Sequence, residues 1–275
     1  MSRATRPHAS LLLGGALVGA MVLAAGLSLV WTPYPPGDID VQARFSAPSA
    51  LHWLGTDSLG HDLFSQLLAG AQNSLAAGLL AVALGLGAGV AMGALAAARG
   101  GWLDALLMRA ADIGFAFPAL VTALLLTALA GPGLLTSTLA IGLFNIPVFA
   151  RVTRSAARSV WTRDFVLAAR MSGKNAWQIT RDHVLPNIAA LLIVQATIQF
   201  ATAILAEAAL SYLGLGTQPP QPSWGRMLAE AQAQLMQAPQ LALYPGLAIA
   251  WTVLGLNLLG DGLRDRLDPR LARRR

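Results

Sequence analysis

Apolar and polar positions alternate on a long scale along this chain, which divides into six extended apolar stretches separated by polar segments. The stretches fall at about residues 10–30, 74–98, 115–130, 134–150, 188–213 and 241–259. A helix crossing a hydrocarbon core of about 30 Å needs roughly 20 apolar residues at 1.5 Å each. The pattern therefore predicts an all-α integral membrane protein with six transmembrane helices. The third and fourth stretches are separated only by Gly131-Pro132-Gly133, a turn signal that makes them a tight helical hairpin. The second carries Gly85, Gly89 and Gly93 at four-residue spacing, a row without side chains along which another helix can lie close.

Charge placement orients these spans. With the N-terminus cytoplasmic, 17 of the 19 lysines and arginines fall on the cytoplasmic side, and only Arg44 and Arg226 lie outside. The inner set comprises Arg3, Arg6, Arg99, Arg109, seven residues from Arg151 to Arg181 and six from Arg264 to Arg275. Cationic loops stay in the cytoplasm, so both termini are expected there. The first stretch could be read as a secretory leader, but it is longer than a leader's apolar core and lacks a good cleavage site. It is read as a retained span. Only 12% of residues are charged, against about 25% in soluble domains. The net charge of +6 thus reflects loop placement, and no nucleic-acid partner is expected. The absence of cysteine excludes disulfides, thiolate metal sites and cysteine nucleophiles.

The chain divides into residues 1–31 (cytoplasmic N-terminus and first span), 32–73 (outer loop with an interfacial helix) and 74–275 (five spans with an inner loop at 151–187). Long ordered loops are usually functional. In the inner loop, Asp164 can open a helix through Met171, Gly173 supplies a turn, and residues 176–183 form a second short helix. Pro186 marks the entry to the next span. The predicted object is a basic and apolar helix-turn-helix at the cytoplasmic membrane surface. It serves either as an amphipathic element against lipid headgroups or as a docking element for a soluble partner.

The spacing of Ala168-Ala169, Gly173, His183, Leu185 and Pro186 resembles the cytoplasmic EAA loop of bacterial ABC import permeases. Two departures stand out: Leu167 occupies the position of the motif's opening acid, and His183 that of its usual isoleucine. In the first outer loop, Gly55-Thr56-Asp57 and Gly60-His61-Asp62 resemble the LGTDxxGRD signature of the dipeptide, oligopeptide and nickel branch, with His61 in place of arginine. Ser211–Gly216, Pro222-Ser223-Trp224-Gly225, Pro245-Gly246-Leu247, Asn257–Asp265 and Leu267-Asp268-Pro269-Arg270 extend the match to the C-terminus. The resemblance implies a type I ABC importer permease fold and the second-type permease of that branch, a multi-pass protein of the bacterial inner membrane. It implies a homologous second permease, two cytoplasmic ATPase subunits, a periplasmic substrate-binding protein and no cofactor. The substrates it implies are di- and oligopeptides, nickel or metal chelates.

Several motif residues have local physical roles. Thr56 or Asp57 can cap the helix that includes residues 63–71 and enters the second span. Gly55 and Gly60 permit the turns around it. Leu63, Phe64, Leu67, Leu68 and Gly70 give that helix an apolar stripe, expected at the outer membrane interface. Near the C-terminus, Arg264, Arg266 and Arg270 interleave with Asp261, Asp265 and Asp268, as a juxtamembrane face or an ATPase contact.

Other chemistry is weaker. His52, His61 and Asp62 are close in sequence, but a metal site needs three or four converging ligands, and none is assigned. Gly173-Lys174-Asn175 lacks the first glycine and the hydroxyl of a phosphate-binding loop. ATP hydrolysis therefore belongs to another polypeptide, and this chain is not expected to be an enzyme. All four histidines lie outside the spans, which disfavours an intramembrane hydrolase. Glu207 is the one acid well inside a span, placed either to line a transport path or to bond between helices. Its solitude also argues against the rival reading, a stand-alone ion-coupled secondary transporter. Asn145 and Pro147 are expected to mark a locally broken helix on the transport path.

Overall fold

The computed structural model describes residues 6–267 and is nearly all helix. Arg3 and the Asp268-Pro269-Arg270 segment lie outside the described residues. The helices are α1 (Arg6–Ser28), α2 (Leu63–Arg99), α3 (Gly101–Ala116), α4 (Ala119–Ala130), α5 (Leu134–Trp161), α6 (Asp164–Met171), α7 (Ala176–Ile179), α8 (Leu185–Tyr212), α9 (Trp224–Ala231) and α10 (Gln240–Leu267). Five helical stretches are long and apolar enough to cross a membrane, and α3 with α4 makes a sixth if that bent pair is one span.

The neighbours of each span follow from where backbones approach. A Cβ added to Gly85, Gly89 or Gly93 would come within 3.0 Å of Asn145, of Ile146 and Phe149, or of Ala150 and Thr153. Numbers rise together along both helices, so α2 and α5 run parallel. The expected glycine row is the seam of the most extensive helix pair in the molecule. Gly78 of α2 meets Phe200 and Ile204 of α8, which runs the opposite way. α1 and α10 form an antiparallel pair through Gly14, Gly255 and Gly262, with Leu11 against Gly262 and Leu17 against Gly255. Both described chain ends thus lie at the same end of the bundle, as six alternating spans require.

Three expectations are corrected. The third span is not one straight helix: α3 and α4 meet at 82°. Pro118 pushes the preceding residue out of the helical region, and Phe117 is extended at φ −96° and ψ 116°. The twelve residues of α4 reach only about 18 Å and cannot cross a bilayer alone. The expected break at Asn145 and Pro147 does not occur, because α5 runs unbroken from Leu134 to Trp161. Pro147 is buried there, its ring packing where Gly114 of α3 leaves room. Finally, the stripe on residues 63–70 faces inward. Leu63 and Leu68 are buried, and Trp224 of α9 lies against Gly70.

The helix α2 spans 37 residues, about 55 Å, so it projects well beyond a hydrocarbon core. Its outer half, with α8, α9 and α10, encloses a cluster built on Leu75, Ile204, Trp224, Met227 and Leu256. A second cluster at the arginine-rich end joins α5, α6, α7 and the start of α8.

The seam predicts a sharp asymmetry among glycines of α2. Gly89→Val should destabilise the solubilised protein by about 3 kcal/mol or prevent folding. Gly87→Val, where nothing lies within 4 Å, should leave its melting point almost unchanged. Thermal unfolding followed by size-exclusion chromatography checks both.

Candidate functional site

The arginine-rich end carries a compact two-helix element. Its α6 begins at Asp164, and Gly173 turns the chain in the left-handed region at φ +81°, where glycine is favoured. Asn175 and Gln178 then form a reciprocal capping box: the Gln178 N–H donates to Asn175 Oδ1, and the Asn175 N–H donates to Gln178 Oε1, both at 2.9 Å. The expected second helix at 176–183 is only partly α-helical. After Ile179 the chain passes into a π-helical turn, Thr180–Val184, and continues directly into α8. Pro186 sits at the start of α8 as expected, but the chain does not turn there. Proline supplies no N–H and crowds the preceding turn, and the wider π turn accommodates it. The Leu185 N–H reaches back five residues to the Thr180 carbonyl, and the Asn187 side chain donates to the His183 carbonyl at 2.6 Å.

The inner face of this element is fixed. Val166, Ala169, Ile179 and Val184 are buried against Ala157, Trp161 and Ile188. Its other face is open and apolar: Leu167 is 50% exposed, Trp177 69% and Met171 89%. Leu167 and Met171 lie one turn apart on α6 and share a face. Arg170 lies over the Trp161 ring, 5.0 Å from its centroid. Lys174 donates to Asp182 Oδ2 at 3.2 Å and to His183 Nε2 at 3.1 Å. Among the motif residues, Ala169 is buried, His183 and Leu185 are half-buried, and Leu167, Ala168, Gly173 and Pro186 are exposed. The two groups make one element with an anchored side and a free side.

Ion pairs brace the same end. Asp104 of α3, buried at 6% exposure, accepts from both Nε and Nη2 of Arg154, the second at 2.6 Å. Arg158 stands 3.7 Å from the same carboxylate. Arg151 pairs with Asp112 and lies over Phe115 at 4.2 Å. Sequence reading missed this brace, although Asp104 and Asp112 were the visible signal: two acids in a largely apolar helix that enters beside a basic loop.

At the opposite end, the first outer loop is knotted by its motif residues. The helix cap is Asp62, not Thr56 or Asp57: its Oδ2 accepts from the Ser65 N–H at 2.8 Å and the Ser65 hydroxyl at 2.7 Å. The carboxylate of Asp57 closes its own turn, accepting from the N–H groups of Leu59 and His61 at 2.8 and 2.9 Å, and its second oxygen also accepts from the Gln66 side chain of α2 at 3.3 Å. Thr56 clamps residues 43–46 by accepting from the Ser46 N–H at 2.9 Å and donating to the Ala43 carbonyl. At Gly55 and Gly60 both φ angles are positive, and a Cβ would strike the carbonyls of Ser46 and Asp40. The two histidines do not converge. His52 pairs with Asp62 at 3.0 Å, and His61 with Asp57 at 2.7 Å. Among the described residues no three histidine, aspartate or glutamate side chains gather as a metal site.

Within the spans, Asn145 is buried on the α2–α5 seam, and its Nδ2 has no hydrogen-bond partner. Glu207 is completely enclosed, accepting from Ser74 of α2 at 3.0 Å and Ser211 of α8 at 2.7 Å. The helix α9 was also missed. Its signal is legible in hindsight: Ser223 as N-cap, then Trp224, Met227 and Ala231 at helical spacing, all buried.

The fold is a multi-span helical bundle with a two-helix element at its arginine-rich end, the architecture of a membrane permease. The chain belongs to the family described as binding-protein-dependent transport system inner membrane component, whose model matches residues 85–273. It is 40% identical over 260 residues to the dipeptide transport system permease protein of Alkalihalophilus pseudofirmus, covering 94% of this chain and 86% of the other. It is 43% identical over 270 residues to the glutathione transport system permease protein of Salmonella typhimurium, covering 98% and 89%. The inward-facing MetNI methionine ABC transporter shares the fold, with a TM-score of 0.61 at 19% identity, covering 74% of this chain and 96% of that one. The protein is accordingly a multi-pass inner-membrane permease subunit of an ABC importer. It is not itself an enzyme, and it works with ATPase, substrate-binding and second permease partners.

The outer knot depends on one carboxylate. Asp62→Ala removes both the cap and the partner of His52, and should cost about 2 kcal/mol, whereas Asp62→Asn should lose less than half of that. Proteolysis of the loop at residues 31–62 should speed up in the alanine variant and stay near wild type in the asparagine variant.

Proposed function

We propose that this permease imports short peptides, of the dipeptide or glutathione kind, and that α6, the Gly173 turn and α7 form its docking surface for an ATPase subunit. The single observation that carries the docking reading is the apolar ridge of Leu167, Met171 and Trp177 on an element whose opposite face is packed into the bundle. Exposed apolar surface of this kind, ringed by charge, marks interaction sites. Arg163, Arg170, Lys174 and Arg181 surround it, which suits a partner groove with an apolar floor and acidic margins. In this reading Leu167, Ala168 and Gly173 face the partner, while Ala169, His183 and Leu185 hold the element on α5 and α8, and Pro186 opens α8. The complete importer comprises this chain, a homologous second permease, two ATPase subunits and a periplasmic binding protein.

Coupling follows from continuity. Because α7, the π turn and α8 form one uninterrupted helical run, residues 176–212, a displacement of the docking surface is carried directly into the span. ATP-driven approach of the two ATPases would shift two such surfaces together, biasing the paired permeases between outward- and inward-facing states. The peptide reading draws on relatives whose names specify dipeptides and glutathione. For the nickel alternative, His52 and His61 each pair with a separate aspartate and form no shared ligand set.

Uptake by proteoliposomes carrying the complete importer and its binding protein tests both halves. Labelled dialanine or glutathione should accumulate with ATP, and nickel should not; accumulation of nickel alone would overturn the peptide reading. Met171→Asp and Trp177→Asp should each lower peptide uptake about tenfold or more and release the ATPase during purification. Wild-type assembly and uptake in both variants would sink the docking assignment.

A further inference from the structure

Glu207 lies near the outer end of α8, and hydroxyls from three places in the chain surround its carboxyl. Ser74 of α2 donates to Oε2 at 3.0 Å, and Ser211, one turn further along α8, donates to Oε1 at 2.7 Å. Thr217, beyond the end of α8, donates to Oε1 at 3.5 Å, and Ser223, the N-cap of α9, is buried close by, its Oγ accepting from the Arg226 N–H at 3.3 Å. Glu207, Ser74 and Ser223 are each 0% exposed, Thr217 1% and Ser211 2%. A second bond ties the group together: the Thr217 N–H donates to Ser211 Oγ at 3.1 Å, folding the chain back over the helix end.

Residues 213–231, including α9, form a cap over the outer ends of α2 and α8. Apolar packing seats this cap: Trp224 lies on Gly70, its Nε1 donates to the Leu67 carbonyl at 3.2 Å, and Gly225 abuts Ala208. Asn73 donates to the Pro222 carbonyl at 2.7 Å. Apolar contact fills space but tolerates small shifts of register, whereas hydrogen bonds fix distance and direction. The carboxyl joins α2, α8 and the turn after α8 that leads into the α9 cap. A carboxyl enclosed at this depth has no solvent to satisfy it, so these hydroxyls are its partners.

We propose that Glu207 is the positioning residue of the outer cap, holding residues 213–231 in the placement at which a substrate-loaded binding protein delivers its cargo. This rests on the importer reading above. Removing the carboxyl leaves the apolar seat intact and three buried hydroxyls without their common acceptor, so the cap loses its register while the bundle still folds. Glutamine keeps the size and can bond the same hydroxyls, which reorient to donate or accept.

The test uses the complete importer in nanodiscs, free of other cysteines; this chain contains none. Spin labels on cysteines replacing the exposed Leu59 and Gln221 report the distance between first outer loop and cap. Uptake of dialanine or glutathione is measured against the concentration of loaded binding protein. Glu207→Ala should broaden the distance distribution and raise KM about tenfold with kcat within about twofold, and Glu207→Gln should restore both. A wild-type distance and KM in Glu207→Ala would overturn the proposal. So would an equal loss of kcat at unchanged KM in both variants, which would place the carboxyl on the transport path. If Glu207→Ala fails to assemble, Thr217→Val and Ser74→Ala each cut one arm and should show the same broadening in smaller degree; undisturbed distances in both reject the assignment. A wild-type importer that takes up neither cargo defeats the peptide reading alone, and the distance measurement still decides the role of Glu207.

Discussion

Between Gly85 and Gly93 the backbone of α2 has no side chains to hold α5 away, and the two helices lie almost backbone to backbone. In lipid, apolar side chains gain nothing by leaving one hydrocarbon surrounding for another, so helices associate through close van der Waals packing and polar contacts. The parallel α2–α5 seam supplies the first. The placements of α3, α6 and α8 build on it. With α5 set against α2, its far end carries Arg154 and Arg158 to Asp104 of α3, and its last turn carries Trp161 under α6. On the other side, α8 packs against α2 through Gly78 and, further out, through the bond from Ser74 to Glu207.

The two ends of this frame are finished differently. At the outer end, polar groups turn inward: Asp57, Asp62, Thr56 and Glu207 are all consumed by bonds within the chain, and the loops become fixed pieces. At the basic end, the buried side of the two-helix element is equally fixed, but large apolar side chains stay exposed. Exposing Met171 and Trp177 has no stabilising value for the isolated subunit. Such surface makes sense where a partner covers it, and Trp177 stands at the start of the helical run that continues into α8.

Much of this architecture was legible in the sequence because its signals were long. Twenty-residue apolar runs, the four-residue glycine row and the lopsided distribution of arginine each integrate over many positions, so single irregularities do not erase them. The misses are local and have specific causes. Pro118 and Pro147 look alike in sequence, yet only Pro118 breaks its span. Pro147 sits against the missing side chain of Gly114, a tertiary fact that no local pattern contains. The cap at Asp62 was misassigned because Thr56, Asp57 and Asp62 are all good capping residues. Which one reaches the helix depends on the turn that Asp57 closes on itself. Glu207 stood out as an intramembrane acid, but its partners at positions 74, 211 and 217 are ordinary hydroxyls scattered along the chain. Only the packing of α2 against α8, with the turn after α8, brings them together.

The departures from the family motifs are explained unequally by the structure. His61 in place of arginine still bonds Asp57, so the turn keeps a cross-link and changes only its donor. Leu167 in place of an acid is different, because its exposed side chain is apolar and supplies no charge. It lies one turn from Met171, enlarging the apolar ridge at the cost of a polar contact. In the docking proposed above, a partner groove matched to this chain is apolar where it meets Leu167. A groove offering a cation there would lose its counter-charge and bury it unpaired, at a cost of several kcal/mol. On that proposal the substitution acts less on this permease than on the choice of ATPase that can work with it.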